Sequence, residues 1–188
     1  ARYSTREMVE TERGMAANAR EMAGRADHEV DRRHVDVALG TFDRVIRAGA
    51  EQSLARDVRA GEIDPQEKDA LLASTGLGDE QRRAVRHITG DEGIAVVIGL
   101  AGAGKSTMLG AARQAWEAEG YRVLGAALAG KAAEGLEESS GIRSRTLASY
   151  EHGWQNGQGK LSPKDVLVID EAGMIGSRQL ARFVSEAH

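Results

Sequence analysis

The stretch Gly99-Leu100-Ala101-Gly102-Ala103-Gly104-Lys105-Ser106-Thr107 has the spacing GxxxxGK[ST]. Those residue types suit one task, the gripping of a run of phosphate oxygens. A nucleoside triphosphate presents several negative oxygens close together. Backbone N–H groups reach them only where the chain curls inward, and Gly99, Gly102 and Gly104 permit that curl without a Cβ clash. Lys105 can reach the β- and γ-phosphates, and Ser106 can set its hydroxyl on Mg²⁺. A second pair, Asp170-Glu171, ends the apolar run Val166-Leu167-Val168-Ile169. Asp170 has the character of a Mg²⁺ ligand, and Glu171 that of a base that orients and deprotonates water. The third candidate is Gln81, whose amide can give and accept one hydrogen bond each with an adenine edge. Taken alone it reads as an exposed helical residue. The nucleotide contacts expected of the loop are Gly99, Ala101, Gly102, Ala103, Gly104, Lys105, Ser106 and Thr107, with ATP and Mg²⁺ as ligands.

Elements must position these groups. Ile94 to Ile98 predicts a strand entering the loop, and Lys105 to Glu119 a helix stopped by Gly120. Arg122 to Ala127 predicts a second strand, which would complete a right-handed βαβ unit with a parallel pair. A helix follows from the Leu128–Leu136 region, with Lys131 near its start. Another begins at Ser144-Arg145-Thr146-Leu147. Lys131 reads either as a contact to the phosphate of a bound strand or as a solvated lysine. Thr146 reads either as part of an anion site at a helix N-terminus or as a plain cap. Tyr150 and Trp154 read as packing residues. The fully apolar run 166–169 predicts a central strand covered on both faces, with its acids at the C-terminal end where α/β sheets bind ligands. A last helix is expected from Arg178 to about Ala187.

Ahead of the loop the chain reads as helical. Ser4-Thr5-Arg6-Glu7 has capping-box form and opens a helix to about Arg25, with Met8, Met15 and Met22 on a packing face. A second helix fits Arg32 to Arg47, with Gly49 able to end it. Residues 50–61 read as a short helix or a linker. Asp64-Pro65 caps and starts a third helix that ends at Ser74-Thr75-Gly76. Asp79 is expected to cap a fourth helix that carries Gln81 and ends at Thr89-Gly90.

The composition bounds the rest. In 188 residues, 41% hydrophobic content permits an ordinary core, and 4% aromatic content means that Ala, Val, Leu and Ile must build it. A net charge of −4 carries no strongly basic footprint, so nucleic acid would need a local groove. The absence of cysteine excludes disulfides and thiolate metal sites and fits a reducing compartment. The five histidines form no i,i+4 pair and read as surface or packing residues. No apolar run has the roughly 18 residues of a membrane span, and no signal peptide is visible. The chain begins at Ala1 and ends within a helical pattern, which reads as a piece of something longer.

The order Gln81, Gly99–Thr107, Ala126–Gly135, Thr146-Leu147 and Asp170-Glu171-Ala172 resembles the front half of a superfamily 1 helicase of the RecD type. It is more similar still to the Ti-type conjugative relaxase–helicases of the TraA family. Thr5-Arg6-Glu7-Met8, Gly130-Lys131-Ala132-Ala133-Glu134 and Ser144-Arg145-Thr146-Leu147-Ala148-Ser149 carry that likeness, together with Val168-Ile169-Asp170-Glu171-Ala172-Gly173-Met174. The resemblance covers nearly the whole chain. It implies an α/β fold: a RecA-like P-loop NTPase sheet, parallel, with helices on both faces, incomplete here. A helical arm over residues 1–76 would precede the nucleotide-binding part, residues 77–188. It also implies ATP-driven movement along single-stranded DNA in conjugation, alongside relaxosome components. By this resemblance Gln81 reads adenine, Lys105 and Glu171 serve catalysis, Ser106 and Asp170 hold the metal, and Lys131 and Thr146 lie in DNA-contacting motifs.

Two departures narrow these expectations. Tyr3, Tyr121 and Tyr150 have no histidine cluster beside them, so no nicking activity is expected of this piece. The family's later motifs, the γ-phosphate sensor and arginine finger among them, do not follow, so the piece alone is expected to hydrolyse ATP negligibly. The family's sheet also carries a strand between the two phosphate-handling strands, and its position here is either supplied by a longer chain or left as a gap. Two other classes fit part of the pattern. One is a kinase-like nucleotide-binding module, and the other is a helical docking platform between a relaxase and a motor.

Overall fold

The computed structural model describes residues 5–99 and 104–188. Thr5 caps α1 (Arg6–Ala23), its hydroxyl accepting the Met8 N–H at 3.2 Å. The expected cap, Ser4, lies outside the described residues. Helix α2 (Arg32–Ala60) starts at Asp31, whose carboxylate accepts the Arg33 N–H, and runs 29 residues to a left-handed Gly61. Gly49 therefore does not stop it, and 50–61 is helix rather than linker. A glycine inside a helix costs only about 1 kcal/mol relative to alanine, and the alanines and leucine around it outweigh that. Helix α3 (Pro65–Ala73) has the expected cap, with Asp64 accepting the Glu67 N–H at 2.7 Å.

Helix α4 (Asp79–Ile88) is capped by Gly78 and not by Asp79. The side chain that satisfies this end belongs to Gln81, which accepts the Gly78 N–H at 2.9 Å. Gln81 thus fills the third helical position of a capping box, where a long amide reaches back to the cap. Helix α5 (Lys105–Ala118) is followed by β1 (Arg122–Ala127), α6 (Gly130–Ser140) and β2 (Ser144–Thr146). Ser144 and Arg145 are therefore strand residues, and the next helix, α7 (Leu147–Gln155), begins one residue after Thr146. They stand opposite Gly125 and Ala126 of β1, a contact that no local pattern announces. Then come β3 (Asp165–Ile169), a 3₁₀ turn (Ala172–Met174) and α8 (Ser177–Ala187).

The sheet is parallel, in the order β2-β1-β3, with Val123 opposite Val166 and Gly125 opposite Val168. Side chains alternate cleanly across it. Val123, Val166 and Val168 join a core with Leu39, Val85, Met108 and Trp116 from α2, α4 and α5. Leu124, Ala126, Leu167 and Ile169 join a second core with Tyr150, Trp154 and Phe183 from α7 and α8. Both faces are thus covered by helices, as expected. Tyr150 and Trp154 are packing residues as predicted, with Phe183 set 4.7 Å from the Trp154 ring. Helix α2 packs along α5, and α1 along α8.

Two sheet expectations fail. Residues 94–98 belong to no ladder among the described residues, so they make no parallel pair with β1. Val97 packs against the first core, while Val96 and Ile98 are 70% and 95% exposed. Strand β3 is not central either. It lies at the sheet edge and is half-buried along its whole length. Composition reports which faces are apolar, whereas centrality depends on a strand lying alongside. Both edges facing the expected intervening strand lack a partner among the described residues.

Candidate functional site

At the start of α5, Gly104 is left-handed, with φ +68° and ψ +29°. Only glycine takes that conformation without cost, so the spacing places a glycine where the backbone needs one. Lys105 is the first helical residue, and its Nζ donates to the Gly99 carbonyl at 3.0 Å. Ser106 and Thr107 follow on the first turn, half-buried. The expected contacts Ala101, Gly102 and Ala103 lie outside the described residues.

The acid pair leaves the tip of β3. Asp170 extends the pairing with β1 by one bond, its N–H donating to Ala126 at 3.0 Å. Its Oδ1 accepts the Glu171 N–H at 3.0 Å. Glu171 itself is left-handed, with φ +51°, and is the sole non-glycine residue with positive φ among the described residues. Such a conformation costs on the order of 1–3 kcal/mol and persists where surroundings impose it. Here the 3₁₀ turn imposes it, with the Met174 N–H donating to the Glu171 carbonyl at 2.8 Å. No sequence pattern signalled this strain.

Lys105, Ser106, Asp170 and Glu171 line one cleft of about 280 Å³, walled by α6 through Ala132 and Ser139. The cleft therefore offers one ammonium, the hydroxyls of Ser106 and Ser139 and two carboxylates beside a helix N-terminus. That donor set fits a triphosphate with a hard divalent cation.

The other face of α6 borders a second cleft of about 510 Å³, lined by Glu134, Glu137, Glu138, Arg145 and Thr146. The Thr146 hydroxyl caps α7 by accepting the Ser149 N–H at 3.2 Å. Arg145 is committed to Ser149 and lies over the Tyr150 ring. Lys131 is exposed on the first turn of α6 and lines neither cleft, so Lys131 and Thr146 are not brought together.

Sequence reading missed two features of the loop's surroundings. Besides capping its own helix, Gln81 donates from Nε2 to the Gly104 carbonyl at 3.3 Å. Its place three residues after Gly78 was the available signal. Asp43 on α2 accepts the Leu77 N–H at 2.9 Å and pairs with Arg82. Burial pushes the Asp43 carboxyl up, but the Leu77 N–H and the Arg82 guanidinium outweigh it and hold the group below the usual range. This bond fixes the entry to α4. It joins residues 34 apart, and no local signal points to it.

The chain is 43% identical over 187 residues to the probable conjugal transfer protein TraA of Sinorhizobium fredii. It is 42% identical over 187 residues to the conjugal transfer protein TraA of Rhizobium radiobacter. Each alignment covers 100% of this chain and 14% of the relative. A third, the conjugal transfer protein TraA of Agrobacterium fabrum, is 43% identical over 98% of the chain and again 14% of the relative. The chain thus spans a small part of the relatives it matches. No solved structure matches it significantly. No described helix is long and apolar enough to cross a membrane. The family model described as AAA domain matches residues 76–188, which hold the loop, all three strands and the acid pair. The chain belongs to the AAA domain family.

Proposed function

We propose that the chain is the ATP-binding front part of a RecD-type superfamily 1 DNA helicase that works in conjugative transfer. The observation that carries this reading is the convergence of Lys105, Ser106, Asp170 and Glu171 on one cleft at the start of α5. The relatives' names support the process. Their length supports a motor completed by further chain.

In this reading the Lys105 ammonium holds the terminal phosphates, and the α5 N-terminus faces their charge. The Ser106 hydroxyl and the Asp170 carboxylate are the residues that would hold Mg²⁺, whose charge offsets that of the phosphate oxygens. Glu171 accepts a proton from water as its oxygen bonds to the γ-phosphorus and the bridging oxygen leaves with ADP. Gln81 reads the adenine edge. Lys131 and Thr146 meet single-stranded DNA, with the relaxosome as wider partner and the bacterial cytoplasm as the compartment. We place the division between a helical arm and the nucleotide-binding unit near residue 76, where the family match begins.

The test uses the full-length protein. Lys105→Ala is expected to lose ATP binding. Glu171→Gln is expected to bind ATP while turnover falls about 10²–10⁴-fold, the usual worth of a general base. Unimpaired turnover in Glu171→Gln removes that residue's role. ATPase activity indifferent to single-stranded DNA favours the kinase-like module instead.

A further inference from the structure

Helices α4 and α5 lie side by side, with Val85 and Met108 in the same core. One turn before Val85 stands Gln81, and one turn before Met108 stands Gly104. The shared core therefore sets the Gln81 amide against the first carbonyl of α5. Its Oε1 accepts the Gly78 N–H, which turns Nε2 toward the Gly104 oxygen. That oxygen also accepts the Met108 N–H at 3.1 Å, the first bond of the helix. A Cβ at Gly104 would stand 2.1 Å from Nε2. The amide thus occupies the space that glycine leaves at the loop's exit.

We propose that Gln81 is a positioning residue for the phosphate loop, and that it acts through Gly104 on any polyphosphate, with or without a base. The inference rests on the loop binding phosphate, as proposed above. It goes further in assigning Gln81 a contribution to phosphate affinity that base reading does not supply.

The test measures affinity of the full-length protein for Mg–ATP and for Mg–tripolyphosphate, which has no base. The variants are Gln81→Ala, Gln81→Glu and Lys105→Ala. Gln81→Ala is expected to weaken both ligands by a similar factor, about three- to tenfold, the size of one hydrogen bond. Gln81→Glu keeps the cap to Gly78 but cannot donate to Gly104, and is expected to weaken both at least as much. Weakening of ATP alone in Gln81→Ala overturns the proposal and leaves a base reader. Weakening of tripolyphosphate in Gln81→Glu alone reports charge repulsion and also overturns it. Wild-type protein that binds neither ligand, or Lys105→Ala that binds both normally, overturns the phosphate-loop reading and this inference with it.

Discussion

Glu171 sits in a backbone conformation that its side chain disfavours, at the point where the acid pair leaves the sheet. Strain of this kind is removable, because glycine adopts φ +51° freely. Glu171→Gly is therefore expected to raise thermal stability by about 0.5–1 kcal/mol while abolishing ATP turnover in the full-length protein. Calorimetry beside an ATPase assay checks both. A variant that is destabilised shows that the carboxylate, and not the 3₁₀ turn, holds this backbone. The loop, the acid pair and Gln81 were all legible as residue types at a spacing. The left-handed Glu171 and the Gln81–Gly104 bond were not, because each depends on what the chain meets after it has folded.

Helix α8 is anchored by Phe183, which is 1% exposed between Tyr150 and Trp154. Phe183→Ala removes a large ring from a packed site and is expected to cost about 3–5 kcal/mol, read from chemical denaturation. Helix α4 adds an ion pair, Arg82 with Asp43, to its buried Val85. Asp43 and Asp165 are both partly buried, which raises their carboxyls. Backbone N–H donors and the Arg82 and Arg122 guanidinia more than reverse that effect and depress both. A carboxylate whose folded pKa lies below its unfolded value adds stability that is complete above about pH 4. That stability is lost as pH falls through the depressed value, because the unfolded chain then binds more protons. Stability is thus expected to drop as pH falls below about 4, and Asp43→Asn to flatten part of that slope and cost about 1–3 kcal/mol at pH 7. A pH series of unfolding midpoints for both proteins tests this, and parallel slopes count against the Asp43 contribution.

The three-stranded sheet ends at β3, while 94–98 joins no ladder among the described residues, with Val97 on the core and Ile98 outside. The family resemblance sets a further strand in this position. Backbone amides of 94–98 are therefore expected to exchange rapidly in this piece and slowly in the full-length protein, as read by hydrogen-exchange mass spectrometry. Equal rates in the two proteins count against a strand inserted there. The core crosses the proposed boundary at residue 76. Leu39 is 1% exposed in the cluster that holds Met108, and α1 lies along α8. The helices before the loop therefore brace the elements that carry the site.

The sequence determined what short-range physics governs. A glycine before a lysine at a helix start, a carboxylate pair after an apolar run and the Asp64-Pro65 cap depend on neighbours a few residues away, and the left-handed Gly104 and the Asp64 cap have the local form expected. The same range explains why the fully apolar run 166–169 is covered on both faces, Val166 and Val168 entering one core and Leu167 and Ile169 the other. Tertiary structure decided which strands pair, where α2 ends, and which side chains meet the loop. Pairing of β1 with β2, the Asp43–Arg82 bond and the meeting of Gln81 with Gly104 join residues about twenty or more apart. Such contacts form only when distant elements compete for the same surface, and no window of local sequence contains that competition.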